Sequence, residues 1–287
     1  MAGPSTVMAQ AMVNHLMRGA TGAYTLTGPW KVKLWTTNPD FDAGTGGTEL
    51  TGSGYTAGGQ SITMTAANWN AAATDTNGKK VTNIAVPSWT ASAADWSGPI
   101  TGASLMNASN ALMWGAALDN ARTVGNGDTF RLSAAAMALT LDKVAAAGIG
   151  DFWKAEILDH FTCTDRAYTA PTGATGAYIA LYTVAPNFYT GAGGTEVTTS
   201  GTNYGRLAIN MATAWDTADA SGIVDNTAEI AFPASTGTWG TVVAAALVKE
   251  SAGAITEFYC GKGFTGVALT AGDTFKIAAG DWDVQIL

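Results

Sequence analysis

The sequence predicts a mainly β protein: two tandem antiparallel β-sandwich domains, jelly-roll-like, each preceded by one α-helix. Three observations predict it. The second half of the chain repeats the first at a nearly constant shift. Each half opens with one stretch of helical periodicity and then breaks into short alternating runs. Gly, Asn, Asp and Thr punctuate those runs, and neither half has a second long helix to carry a parallel crossover.

The repeat comes first. "GTGGTEL" (44–50) returns as "GAGGTEV" (191–197), and "LWTTNPDF" (34–41) as "LYTVAPNF" (181–188). His15 falls on His160 and Phe130 on Phe275 at a shift of 145. Trp69, Ile84 and Pro87 fall on Trp215, Ile230 and Pro233 at 146, and Leu34, Pro39 and Glu49 on Leu181, Pro186 and Glu196 at 147. The shift wanders only in loops, where insertions are tolerated. The chain is therefore read as two modules, 1–142 and 143–287, each carrying a full set of strands and expected to fold alone.

Each module begins with a helix. In "STVMAQAMVNHLMRG" (5–19), Ser5 is the candidate N-cap, Val7, Met8, Met12 and Leu16 share a face, and Gly19 is the stop. In "GDFWKAEILDHF" (150–161), Asp151 caps a face of Phe152, Trp153, Ile157, Leu158 and Phe161. Strand runs follow: "KVKLWTT", "QSITMTA", "VTNIAVP", "NALMWGAA" and "MALTL", then "YIALYTV", "RLAINMA", "EIAFP", "ITEFYCG" and "WDVQIL". Seven or eight short strands per module fit a sandwich.

Composition narrows the function. Only 13% of residues are charged, about half the usual share, so the surface suits a protein partly covered by copies of itself or by a partner. A net charge of −8 argues against binding nucleic acid through its phosphates. The one basic doublet, Lys79-Lys80, reads as a strand-edge guard or a solvated turn. No apolar run reaches membrane-spanning length and no signal peptide is evident, so synthesis in a cytoplasm is expected. Cys163 and Cys260 read as free thiols, with a single bridge as the alternative.

No residue pattern announces a chemistry, and no catalytic, cofactor-binding or metal-binding residue is assigned. His15 and His160 are the only histidines, and each lacks a nucleophile or further ligands in sequence; they read as helix-end residues. Glu49 and Glu196 follow double glycines without the Lys and helix of a phosphate loop, so a turn entering a strand is expected. Asp40, Asp42, Glu49, Asp216 and Asp219 are the acids a glycosidase could use, but nothing converges them. Asp40 and Asp42 alternate as calcium ligands do, yet the second copy has Asn187 and Tyr189 there. Trp69, Trp215, Trp96 and Trp239 recur in register and are expected in the core.

The stretch "YIALYTVAPN…GGTEV…YGRLAINM…IAFPAS…WGTVVAAALV…GDTFKIAAGDWDVQI" (178–286) resembles a family of bacteriophage virion proteins, whose members are labelled tail-fibre or capsid-decoration proteins. The second module resembles it nearly throughout. The first departs: Val86 replaces the Phe before the shared proline, Trp96-Ser97 replaces Trp-Gly, and residues are inserted between Asn70 and Lys80. The resemblance implies a structural phage protein without enzymatic activity or cofactor. The expected role is capsid decoration: a cement protein on the head exterior, binding the major capsid protein and itself as a homotrimer, without nucleic acid or membrane. The alternative is a tail, tail-fibre or baseplate component acting in host attachment.

Overall fold

The computed structural model describes residues 4, 6–18, 29–76, 78–142, 147–162, 176–219 and 221–285. In the first half, α1 (Thr6–Arg18) leads to β1 (Trp30–Thr37), β2 (Thr48–Glu49), β3 (Gln60–Ile62), β4 (Ala73–Asp75) and β5 (Gly78–Thr82). Then come β6 (Ser88–Thr90), β7 (Ile100–Met106), β8 (Leu112–Arg122), β9 (Thr129–Arg131) and β10 (Ala138–Asp142). In the second, β11 (Ala147–Ile149) and α2 (Asp151–Thr162) precede β12 (Ala177–Val184), β13 (Thr195–Glu196), β14 (Leu207–Ala208), β15 (Ile223–Val224) and β16 (Ile230–Ala231). The chain then forms β17 (Gly240–Ser251), β18 (Ala254–Leu269), β19 (Lys276–Ile277) and β20 (Val284–Gln285).

The fold class is the expected one, and the pairing shows how it arises. Each half has a main antiparallel sheet, β2-β1-β7-β8 with β3 on β1, and β11-β18-β17-β12-β13 with β14 on β12. The remaining strands pair in nested order: β7 with β8, β6 with β9 and β5 with β10, then β17 with β18, β16 with β19 and β15 with β20. Three strands thus run out and three run back, a long hairpin rolled over onto itself, as in a jelly roll. The insertion between Asn70 and Lys80 is where β4 adds to β5. The expected runs did not name β7 and β17, nor the short strands β4, β6, β9, β11, β15 and β19.

"VTNIAVP" does not continue as a strand to its proline. β5 stops at Thr82, because the Asn83 side chain takes over the local hydrogen bonding. Lys79-Lys80 is also corrected: it lies in β5, the middle strand of β10-β5-β4, not at an edge. There Lys80 pairs with Asp75 at 2.8 Å and Lys79 donates to Thr74 Oγ1 at 3.1 Å, both on the neighbouring β4.

One hydrophobic cluster runs through both halves. Met8, Met12 and Leu16 of α1 are buried as expected, but so are Ala9, Val13 and Met17. The wider apolar surface follows from position, since α1 packs on β8 of its own half and on β15 and β20 of the other. α2 likewise packs on β18 of its own half and on β5 and β10 of the first. Asn14 Oδ1 accepts from Ala218 N at 2.9 Å, and Asp159 Oδ1 accepts from Ala72 N at 2.9 Å. The helices pack across the expected boundary at 142, so each half covers part of the other's core. Ser5, Gly19 and Cys163, and the side chains of Val7 and Asp151, lie outside the described residues.

Candidate functional site

The repeated corner answers why Gly-Gly-Thr-Glu occurs twice. Gly46, Gly47, Gly193 and Gly194 all have φ between 69° and 81°, a region side chains avoid. A Cβ on Gly47 would lie 2.7 Å from Pro39 N, and one on Gly194 2.8 Å from Pro186 N. The glycines let the chain press on the repeated proline, and the strand that follows presents its glutamate. Glu49 Oε1 accepts from Tyr55 Oη at 2.9 Å, and that phenol oxygen accepts from Leu34 N at 3.2 Å. Glu196 Oε1 accepts from Tyr204 Oη at 2.9 Å, and that oxygen accepts from Leu181 N at 2.8 Å. Burial pushes both phenols above their ordinary range, so they stay protonated as donors.

The cation that balances each glutamate comes from a different place in each half. In the first half it is the buried Lys33 of β1, 3.3 Å from Glu49 Oε2. In the second it is Arg206, whose Nε and Nη2 reach the two Glu196 oxygens at 2.9 and 2.8 Å while Nη1 reaches Glu250 at 3.0 Å. Strand register makes Arg206 the equivalent of Gly59 and Lys33 the equivalent of Ala180. Gly59 has φ +87, and a Cβ there would lie 2.4 Å from Val32 O, so no side chain fits.

A second tie is a pair of buried asparagines that the sequence reading passed over. Asn83 Nδ2 donates to Ala85 O and Ser133 O at 2.6 and 3.0 Å, and Oδ1 accepts from Met137 N at 2.8 Å. Asn226 makes the same three bonds with Ala228 O, Ala278 O and Trp282 N at 2.8, 2.8 and 2.9 Å. The repeat carried this signal at a shift of 143, but a lone Asn between apolar runs reads as a turn.

The acids do not form one constellation. Asp40 Oδ1 accepts from Asp42 N and Ala43 N, closing its own turn, and Asn187 does the same for Tyr189 N and Thr190 N. A side-chain oxygen is all this turn needs, which explains why Asp becomes Asn. Asp216 and Asp219 instead gather near Asp225 and Asp283, away from Asp40, Asp42 and Glu49 in the other half. The Asp225 carboxyl is pushed up to about 6, by burial first and then by Asp283, Asp216 and Asp219. Among the described residues no group of three or more His, Cys, Asp or Glu is placed to hold a metal. No helix among them is long and apolar enough to cross a membrane.

The histidines meet. His15 and His160, both buried, stack with ring centroids 4.0 Å apart where α1 touches α2. The sequence placed them singly near helix ends, and only the crossing of the helices brings them together. Trp69, Trp215, Trp96 and Trp239 are all core residues, as expected. Cys260 is a buried free thiol, raised well above its ordinary value by that burial.

A cavity of about 530 Å³ opens beside β8, which Pro4 bridges at Trp114, and is lined by Trp69, Trp114 and Met137 among others. The architecture is thus a duplicated, polar-tied sandwich pair. A family model described as "Podophage GP4 fiber I protein gp80" matches it twice, over residues 3–140 and 148–285. The chain belongs to this podophage fibre family. It is a bacteriophage virion protein built by tandem duplication, and each match spans one helix and one sandwich. No curated protein and no solved structure matches the chain.

Proposed function

We propose that this protein is a structural, non-catalytic component of a podophage tail fibre, acting in attachment to the host. The observation that carries this reading is the fibre-family match over both repeats. The geometry agrees with it: two sandwiches are joined through a common core by helices that pack across the boundary, giving a stiff unit. The capsid-decoration expectation, with the major capsid protein and a homotrimer as partners, drew on low charge and repetition, and both suit a fibre equally well. Head exterior is replaced by tail as the proposed location.

Electron cryo-microscopy of the particle, with gold-labelled antibody against this chain, tests the proposal. Density and label on fibres around the tail are expected. Label on capsid lattice positions alone would overturn the fibre reading and restore decoration.

A further inference from the structure

The two halves differ along one exposed row of side chains. The residues after the buried asparagines, Ile84 and Thr227, donate their N–H to Asn68 O and Ala214 O at 2.6 and 2.9 Å. Further on, Ser88 pairs with Arg131 where Ala231 pairs with Lys276. The structure thus sets residues 84–88 on 227–231 at a shift of 143, not the 146 of the repeated proline. Ile84 therefore stands where the second half has Thr227, Val86 where it has Glu229, and Arg131 where it has Lys276. In the second half Lys276 and Glu229 form an ion pair at 2.8 Å. In the first half the cation remains, its anion has become valine, and no ion pair involves Arg131 among the described residues. Burial alternates from Asn83 to Trp89, leaving Ile84 and Val86 outward at 41% and 45% exposure. Ala135, whose N–H donates to Asn83 O, is exposed beside them. Since the same backbone accepts Thr and Glu at these places, packing does not call for two aliphatic side chains in water.

Among the described residues two other large aliphatic side chains are exposed, Val184 at 56% and Val267 at 44%, and both belong to the second half. They lie at one end of its main sheet: Val184 closes β12 opposite Thr195, and Val267 pairs with Val242 near the start of β17. Asp273, exposed just beyond β18, is the acid at that end. We propose that copies of this protein associate head to tail, the Ile84 and Val86 row of one copy seated on the Val184 and Val267 end of the next. Charge selects this occupant. Residues 1–142 carry 7 basic and 8 acidic residues, a net −1, and residues 143–287 carry 7 and 14, a net −7. A symmetrical contact of the row with itself would bring Arg131 against Arg131, and one of the second halves would oppose two strongly acidic surfaces. A head-to-tail contact avoids both, gives Arg131 an acidic neighbour, and propagates as a line rather than closing as a dimer. This deepens the fibre reading and rests on it only for the use of such a line; its test runs in solution, so it and the particle labelling can fail separately.

Sedimentation equilibrium of the full chain is the test. The average mass should climb with concentration without a plateau at dimer or trimer, with a Kd on the order of 100 μM per contact, as patches this small imply, and less at high salt. Ile84→Thr combined with Val86→Glu installs the second half's own residues and should weaken association about tenfold or more while the melting temperature holds. Val267→Lys should do the same from the other face. Mixed together, these two variants should recover one contact and stop at a pair, because each keeps the face that the other has lost. Arg131→Glu, a single exposed change, should also weaken association about tenfold and decides the matter if the double variant fails to fold. A native chain that stays monomeric, or closes as a dimer, overturns the proposal. Association unchanged in the folded variants, or a mixture that pairs no better than its components, overturns it as well.

Discussion

The two halves of this protein keep the same backbone with different side-chain solutions. Both retain the proline against glycine, the glutamate on a buried tyrosine, the asparagine holding two segments, and the turn closed by a side-chain oxygen. They differ in what surrounds those ties. The glutamate is balanced by Lys33 of β1 in one half and by Arg206, just before β14, in the other. Residues 1–142 carry 7 basic and 8 acidic residues and residues 143–287 carry 7 and 14, a net −1 against −7. Duplication has preserved the polar contacts that fix main-chain geometry and released the residues that only fill or charge the surface. That separation is open to three experiments.

The largest and most symmetrical loss is expected at the asparagines. Asn83→Ala and Asn226→Ala each remove two donations and one acceptance from buried backbone groups. Leaving such groups unpaired costs about 3 kcal/mol in total, and the two variants should agree to within about 0.5 kcal/mol in urea unfolding. A loss confined to one half would break the claim that the frame is shared.

At the glutamate corners the halves should diverge. Arg206→Ala removes a forked pairing with Glu196 and a contact to Glu250, whereas Lys33→Ala removes a single ion pair at 3.3 Å. Expected losses are about 2 kcal/mol for Arg206→Ala and about 1 kcal/mol for Lys33→Ala, with geometry deciding the order. Equal losses in denaturant melts would mean that the charge matters and the fork does not.

Much of this was legible in the sequence, and what escaped shares a cause. The repeat, the two helices, the positive-φ glycines before Thr-Glu and the core tryptophans follow from local spacing and composition. The rolled pairing of β5 with β10 and β15 with β20 does not, because it joins segments about 60 residues apart. Lys33 looked like an ordinary strand lysine, and its burial depends on Gly59, which cannot carry a side chain. The histidine stack and the crossed helices needed the two halves to be placed against each other.

The smallest effect belongs to the charge asymmetry and is a matter of pH. The Asp225 carboxyl titrates at about 6 in the folded protein, against an ordinary value of 3.8, because burial and the carboxylates of Asp283, Asp216 and Asp219 oppose its charge. A carboxyl raised in this way binds its proton more tightly folded than unfolded. It therefore destabilises the fold above about pH 6, and the penalty fades as the pH falls from about 6 toward 4. Asp225→Asn should melt higher than the native chain at pH 7, by an amount that solvent screening keeps to at most about 1 kcal/mol. The gap should shrink toward pH 4 and close below it, where the native carboxyl is protonated in both states. The first half has Thr82 at the matching place in the repeat, so Thr82→Ala should show no such pH-dependent gap. A gap for Asp225→Asn that is constant from pH 7 to pH 4 would detach it from titration, and the excess charge of the second half would then be without consequence for its folding.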